Sequence, residues 1–168
     1  MGKYEFAFFY FIFATGYGYI VLKDEPWFPY YLGGKNESFI DMFIDAPFVP
    51  VTKGAITYAM LQIGYHGGDM IMLTLLEERQ SDYFEMLMHH ICAVSLLVSM
   101  VYANGMTIGC TISFLHDIAD ITVAITKFWG LTKYATLAAL GLLANMVVWG
   151  YTRMIVLPYM IYNVFIFV

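Results

Sequence analysis

Ionisable side chains inside otherwise apolar stretches are the residues of this sequence that could do chemistry. Burying such a group in hydrocarbon costs several kcal/mol, so each one needs an explanation in packing or in function. There are eight candidates, and all four histidines of the chain are among them. They are His66, Asp69, Glu85, His89, His90, His116, Asp117 and Asp120. Because imidazoles and carboxylates can exchange protons at neutral pH, this set is suited to general acid–base chemistry.

The spacing of these residues places imidazoles beside carboxylates. Glu85 and His89 are four residues apart, as are His116 and Asp120, so each pair shares one face of a helix. Three interpretations are open: a polar seam that locks helix packing, a catalytic or lipid-headgroup site, and a metal site. Histidines three or four apart on one helix, the usual metal-ligand spacing, are absent, and we expect no metal.

The elements that must position these groups are five apolar segments. About 20 apolar residues cross a bilayer, and the segments are 5–22, 54–76, 83–102, 106–126 and 134–153. His89 lies six residues into the third segment and Asp120 six residues from the end of the fourth, about 9 Å in each case. Two antiparallel helices therefore place their polar groups in one layer.

The composition indicates an all-α, polytopic integral membrane protein. Hydrophobic residues make up 61% of the 168 residues and charged residues 12%, about half the share in soluble domains. Such a chain is too apolar to be disordered. With 8 Lys+Arg against 13 Asp+Glu it has no basic stripe for a nucleic-acid partner. Residues 154–168 are too few for another ordinary crossing.

The segment between the first two helices, residues 23–53, has a different character. It holds four of the five prolines and eight charged residues. Proline at this density indicates a loop. Aromatic residues are interspersed, and such rings settle at the headgroup level of a membrane: Trp27, Phe28, Tyr30, Tyr31 and Phe39. We therefore predict a long interfacial loop.

Small residues mark two further places. Gly64, Gly67 and Gly68 flank His66 and Asp69, which predicts a local His–Asp pair at a close helix crossing. Asn104-Gly105 predicts a tight turn, and Gly105 with Gly109 predicts close packing at the start of the fourth helix.

The positions of Arg153 and of the two cysteines lead to two further predictions. Arg153 ends the fifth segment, where we expect its side chain to reach back to the membrane interface. Cys92 and Cys110 lie at different depths on neighbouring helices, on the order of 10 Å apart. A disulfide needs Cα atoms within about 7 Å, so we expect two free, buried thiols.

Several of these motifs together resemble a known family. Asp82-Tyr-Phe-Glu-Met-Leu-Met-His89-His90, followed by Asn104, Gly109, His116-Asp117-Ile-Ala-Asp120 and Lys127, resembles the Lag motif of ceramide synthases. These enzymes belong to the TLC (TRAM, longevity-assurance, CLN) family. Pro26-Trp27-Phe28 and Thr152-Arg153-Met-Ile-Val-Leu-Pro158-Tyr extend the resemblance, so that residues 1–168 form a single TLC-like transmembrane domain.

The resemblance implies an endoplasmic-reticulum enzyme that transfers a fatty acyl group from acyl-CoA to the amine of a sphingoid base. The residues that it implies as catalytic are His89, His90, His116, Asp117 and Asp120. A domain that only binds lipid would use a related set: Glu85, His89, His116, Asp120 and Arg153.

The family domain continues into one more transmembrane helix after its Pro-aromatic segment, whereas this sequence stops at Val168. This difference favours a truncated TLC-type barrel that serves as a non-catalytic or lipid-binding subunit of a larger membrane complex. Other subunits would cover its apolar C-terminal end, and a respiratory complex of the mitochondrial inner membrane is one such host. Bound phospholipid or acyl-CoA is the only ligand expected. The alternative is an acyl-CoA-dependent sphingoid-base N-acyltransferase of the endoplasmic reticulum.

Overall fold

The computed structural model describes residues 2–35, 42, 48–76 and 83–167, and this part of the chain is almost entirely helical. The elements are α1 (Gly2–Leu22), a 3₁₀ turn (Tyr30–Leu32), α2 (Lys53–Leu75), α3 (Tyr83–Tyr102), α4 (Met106–Gly130), α5 (Ala135–Gly150), a π turn (Tyr151–Val156) and α6 (Leu157–Phe167). The prediction of an all-α, polytopic membrane protein is confirmed.

Among the described residues, four helices are long and apolar enough to cross a membrane, namely Glu5–Leu22, Tyr83–Tyr102, Met106–Gly130 and Ala135–Asn163. The remaining long helix, α2, carries Gln62, His66 and Asp69 and is the most polar of the five. Gln62 and His66 of this helix are buried against its neighbours. The predicted second crossing, α2, is long enough to span a bilayer, about 35 Å at 1.5 Å per residue. It is more polar than the other four long helices.

The fifth helix does not end at Arg153 as predicted. It continues through the π turn Tyr151–Val156 into α6. Residues after Arg153, which we expected to form a separate tail, therefore extend the same helix. Pro158 lacks the N–H that an α-helix needs, and the wider turn immediately before it accommodates this loss. The fourth helix also extends past Thr126, to Gly130.

The fourth helix is the centre of the bundle, because it packs against α1, α2, α3 and α5. Its first half meets α3 closely: a Cβ added at Gly109 would lie 1.9 Å from the sulfur of Met100. The turn that joins the two helices contains Asn104 in the left-handed conformation, with φ of 53°. The predictions of a tight turn and close packing here are confirmed.

The first part of the loop after α1, through Lys35, folds back onto the helices. Trp27 and Phe28 are fully buried, and the Phe28 ring packs edge-on against Phe114 of α4, with 5.3 Å between centroids. Only Tyr30 and Tyr31 are exposed as predicted, and Phe39 lies outside the described residues. Trp27 and Phe28 thus fill the end of the helical core, and the headgroup-level position of this loop stays a prediction.

Polar contacts hold this loop in place. Thr52 caps the N-terminus of α2 by accepting a hydrogen bond from the Ala55 N–H, and its hydroxyl donates to the buried Glu25 carboxylate. At the surface, Lys35 donates to Asp24 over 2.6 Å, and this contact holds the pKa of the Asp24 carboxyl below its usual value.

The two cysteines are free, but only Cys110 is buried as predicted. Its thiol lies 3.7 Å from the Ala55 carbonyl oxygen of α2, inside the core. Cys92 is exposed, because it lies on a face of α3 that no described helix covers.

Candidate functional site

A polar layer lies where α2, α3, α4 and the π turn come together. Its members are the groups singled out from the sequence, joined by residues that the sequence reasoning passed over or placed elsewhere: Tyr58, Gln62, His66, Asp69, His89, His90, His116, Asp117, Asp120 and Arg153. The layer contains several distinct contacts.

The first contact joins α2 to α3. Oδ2 of Asp69 lies 3.1 Å from Nε2 of His90, whose side chain is almost fully buried. The His66 ring is 6.4 Å from the His90 ring, and Nδ1 of each imidazole is buried with no hydrogen-bond partner. The predicted local His66–Asp69 pair is wrong, because Asp69 turns to the neighbouring helix.

The glycines beside this pair do not mark a close crossing. A Cβ added at Gly64, Gly67 or Gly68 would have no neighbour within 4 Å in the described structure. The prediction of close backbone approach at these positions is wrong.

The second contact joins α4 to the π turn. Nδ1 of His116 donates a hydrogen bond to the Ile112 carbonyl oxygen at 2.8 Å, which leaves Nε2 as the acceptor. Arg153 donates to that Nε2 atom. The expectation that Arg153 reaches to the interface is wrong: the turn that holds Arg153 directs its guanidinium into the layer, where its Nε is buried without a partner. π turns often occur at functional positions in helices.

The third contact joins α2 to Asp117, which is fully buried. Tyr58 Oη and Gln62 Nε2 each donate to Oδ2 of Asp117, both at 2.5 Å. Asp117 therefore faces α2 and does not contact His116. Tyr58 and Gln62 were missed because the sequence reasoning considered only ionisable groups. The helical spacing of Tyr58, Gln62, His66 and Asp69 along one polar stripe of α2 was the available signal.

Asp120 and His89, two further residues predicted from the sequence, differ in how far they are buried. Asp120 is half-buried and interacts electrostatically with Arg153, His90 and Lys127, so it belongs to the layer. His89 is more exposed, but its ring lies 5.5 Å from that of His90.

Glu85 is exposed on α3, one turn before the histidine pair. Within the described residues no hydrogen bond joins it to His89, although the two share a helix face. Across the same residues, no group of three His, Cys, Asp or Glu side chains is arranged to hold a metal ion.

Comparison with known proteins identifies the family. The TLC domain model matches residues 5–168, nearly the whole chain. The chain belongs to the TLC domain family. Residues 1–168 thus contain a TLC domain whose polar layer is built by α2, α3, α4 and the π turn. No solved structure matches the chain.

Curated relatives of this TLC domain include three ceramide synthases. Ceramide synthase 5 of Homo sapiens is 25% identical over 98% of this chain and 39% of its own length. Ceramide synthases hyl-1 and hyl-2 of Caenorhabditis elegans are 29% and 25% identical over 67% and 68% of this chain, which is 28% and 35% of their lengths. The chain thus spans about a third of the length of these relatives.

Proposed function

We propose that this TLC domain catalyses transfer of a fatty acyl group from an acyl-CoA thioester to the amine of a long-chain base, in the membrane of the endoplasmic reticulum. The names of the relatives support the reaction class. The observation that carries the proposal is a set of buried polar atoms of one layer without hydrogen-bond partners among the described residues: Nδ1 of His66, both ring nitrogens of His90, Nε of Arg153, Oε1 of Gln62 and Oδ1 of Asp117. Buried polar atoms are rarely left unsatisfied without a functional reason.

The chemistry of these atoms complements the reactants. An imidazole Nδ1 without hydrogen accepts a proton, and a guanidinium Nε–H donates to an oxygen. The amine of the base would approach His90, and the carbonyl oxygen of the thioester would approach Arg153. The apolar faces of α3 and α5 suit the two hydrocarbon chains.

The reaction balances with these groups alone. The lone pair of the amine attacks the thioester carbonyl carbon, a C–N bond forms, and negative charge develops on the carbonyl oxygen beside Arg153. The C–S bond then breaks and the thiolate leaves with the bonding electrons. His90 takes the proton from the amine and returns it to the thiolate, so that an amide and a free thiol are the products.

The layer also provides a setting poor in water. Electrostatic interactions there are stronger than in bulk water, and the reactive thioester is protected from hydrolysis. In this arrangement Oδ2 of Asp117 serves the packing of α2 on α4, since both of its donors lie on α2.

Neither the described contacts nor the relatives support the accessory-subunit hypothesis or a mitochondrial location. The three relatives named above are all called ceramide synthases, and the polar layer lacks the full set of internal partners expected of a purely structural seam. Both observations favour the enzymatic alternative.

The proposal is tested with the purified 168-residue chain in lipid nanodiscs. Palmitoyl-CoA is supplied with sphinganine, with a long-chain alcohol or with a lysophospholipid, and products and free thiol are quantified by mass spectrometry. We expect amide and thiol in equal amounts with sphinganine and no acylation of the other acceptors. A folded chain that acylates only a hydroxyl acceptor, or none of the three, would show the proposed function to be wrong.

A further inference from the structure

The second helix supplies a carboxylate to the layer that the resemblance does not assign a role. Asp69 is half-buried on α2 and faces α3, where the histidine pair lies. It lies one turn beyond His66, on the polar stripe of α2 that also carries Tyr58 and Gln62. These last two residues hold Asp117, so Asp69 makes a separate contact between helices.

The contact with Asp69 affects which nitrogen of the His90 imidazole carries hydrogen. Oδ2 of Asp69 lies 3.1 Å from Nε2 of His90, a close ion-pair contact that does not complete a hydrogen bond. A carboxylate only accepts, so the contact favours hydrogen on Nε2. The other nitrogen, Nδ1, is then an acceptor that, within the described part of the chain, is buried without a hydrogen-bond partner and without a carboxylate beside it.

We propose that Asp69 is a positioning residue for His90: it holds the imidazole in the Nε2–H tautomer and presents Nδ1 to the substrate amine. A carboxylate that orients an imidazole in this way affects catalysis without touching the substrate. This inference rests on the proposed function for its catalytic consequence, whereas the tautomer itself is a property of the resting protein.

The tautomer is measured by NMR of the chain labelled with ¹⁵N in its imidazole rings. Only four histidines are present, so replacing each with glutamine in turn assigns the spectra. We expect wild-type His90 to carry hydrogen on Nε2, and we expect Asp69→Asn to shift the balance toward Nδ1–H, with Asp69→Glu restoring it. Hydrogen on Nδ1 in the wild type, or a His90 spectrum that is the same in Asp69→Asn, overturns the proposal.

The catalytic consequence is measured separately in the nanodisc assay. Asp69→Asn is expected to lower kcat on the order of 100-fold with little change in KM, because the substrate contacts remain. Asp69→Glu should recover part of the loss. Asp24→Asn removes an exposed carboxylate outside the layer and serves as the matched control with wild-type activity.

The outcomes distinguish the two proposals. An Asp69-dependent tautomer in a chain that forms no amide supports the positioning role and refutes the proposed function. Amide formation with an unchanged kcat in Asp69→Asn refutes the positioning role alone. Should Asp69→Asn not fold, Asp69→Ala takes its place in the tautomer measurement, and hydrogen on Nδ1 of wild-type His90 still overturns the positioning role.

Discussion

At the scale of single residues, the pair of His116 and Arg153 shows how one side chain sets the state of another. Nδ1–H of His116 donates a hydrogen bond to the Ile112 carbonyl oxygen, so Nε2 carries no hydrogen and accepts from the Arg153 guanidinium. His116 is therefore poorly placed to act as a base in this state. Its role is to hold Arg153 inside the layer, where the cation also interacts with Asp120.

This arrangement predicts a specific effect of Arg153→Met on acyl transfer. Loss of a donor that stabilises a developing oxyanion lowers kcat on the order of 100-fold. Arg153→Lys should lose less, because the charge remains while the planar fork of donors is lost. Rates are measured in nanodiscs, with the exposed loop variant Lys133→Met as control. Wild-type kcat in Arg153→Met would argue against a role for this residue in the reaction.

At the scale of helices, Asp117 acts as a clamp between α4 and α2. Removing it leaves two buried donors, Tyr58 and Gln62, without an acceptor, and each costs about 1–3 kcal/mol. An asparagine can still accept through its Oδ1 atom. Because this contact stabilises the packing of α2 on α4, we expect its removal to lower the stability of the chain more than its activity.

We therefore expect Asp117→Ala to lower the free energy of unfolding by about 3 kcal/mol and Asp117→Asn by less than about 1.5 kcal/mol. Both are measured as thermal unfolding in detergent. If instead Asp117→Asn retained wild-type stability but lost all acyl transfer, a direct catalytic role for the carboxylate would replace the clamp.

Helix packing makes a second prediction, at the contact between α3 and α4. Gly109→Ala places a methyl group against the Met100 side chain, and overpacking of this kind costs about 1–3 kcal/mol. The double variant Gly109→Ala/Met100→Ala should recover part of that loss. Thermal unfolding in detergent measures both.

Gly67→Ala is the matched control, because open space surrounds that position and alanine favours a helix by up to about 1 kcal/mol. A Gly109→Ala chain as stable as Gly67→Ala would contradict the close contact.

Sequence patterns predicted the helices of this fold but not how their side chains pair. Apolar length and helical spacing predicted the helices, and the rarity of ionisable groups in hydrocarbon predicted the layer that they form. Spacing could not tell that Asp69 pairs with His90 instead of His66, since both partners are within reach and the choice depends on how α2 rotates against α3. The π turn that holds Arg153 precedes Pro158, and the hydrophobic pattern of the sequence does not distinguish such a turn from an ordinary α-helix.

At the scale of the whole molecule, an apolar exterior surrounds a core that holds the polar layer beside apolar side chains. Four apolar helices expose large hydrophobic side chains, as at Phe9, Leu140 and Val147, while α2 and the centre of α4 carry the polar groups inward. The folded loop of Trp27 and Phe28 closes one end of this core. Such an arrangement suits reactants whose chains are apolar and whose reacting ends are polar.

The most direct test of this account measures amide formation by the chain in nanodiscs, with palmitoyl-CoA and sphinganine, for the wild type, His90→Ala and Ser99→Ala. His90 is buried in the layer, and Ser99 is exposed on the same helix. The account predicts that the wild type and Ser99→Ala form amide at equal rates and that a folded His90→Ala loses at least about 100-fold. Equal rates in all three, or no amide from the folded wild type, would contradict it.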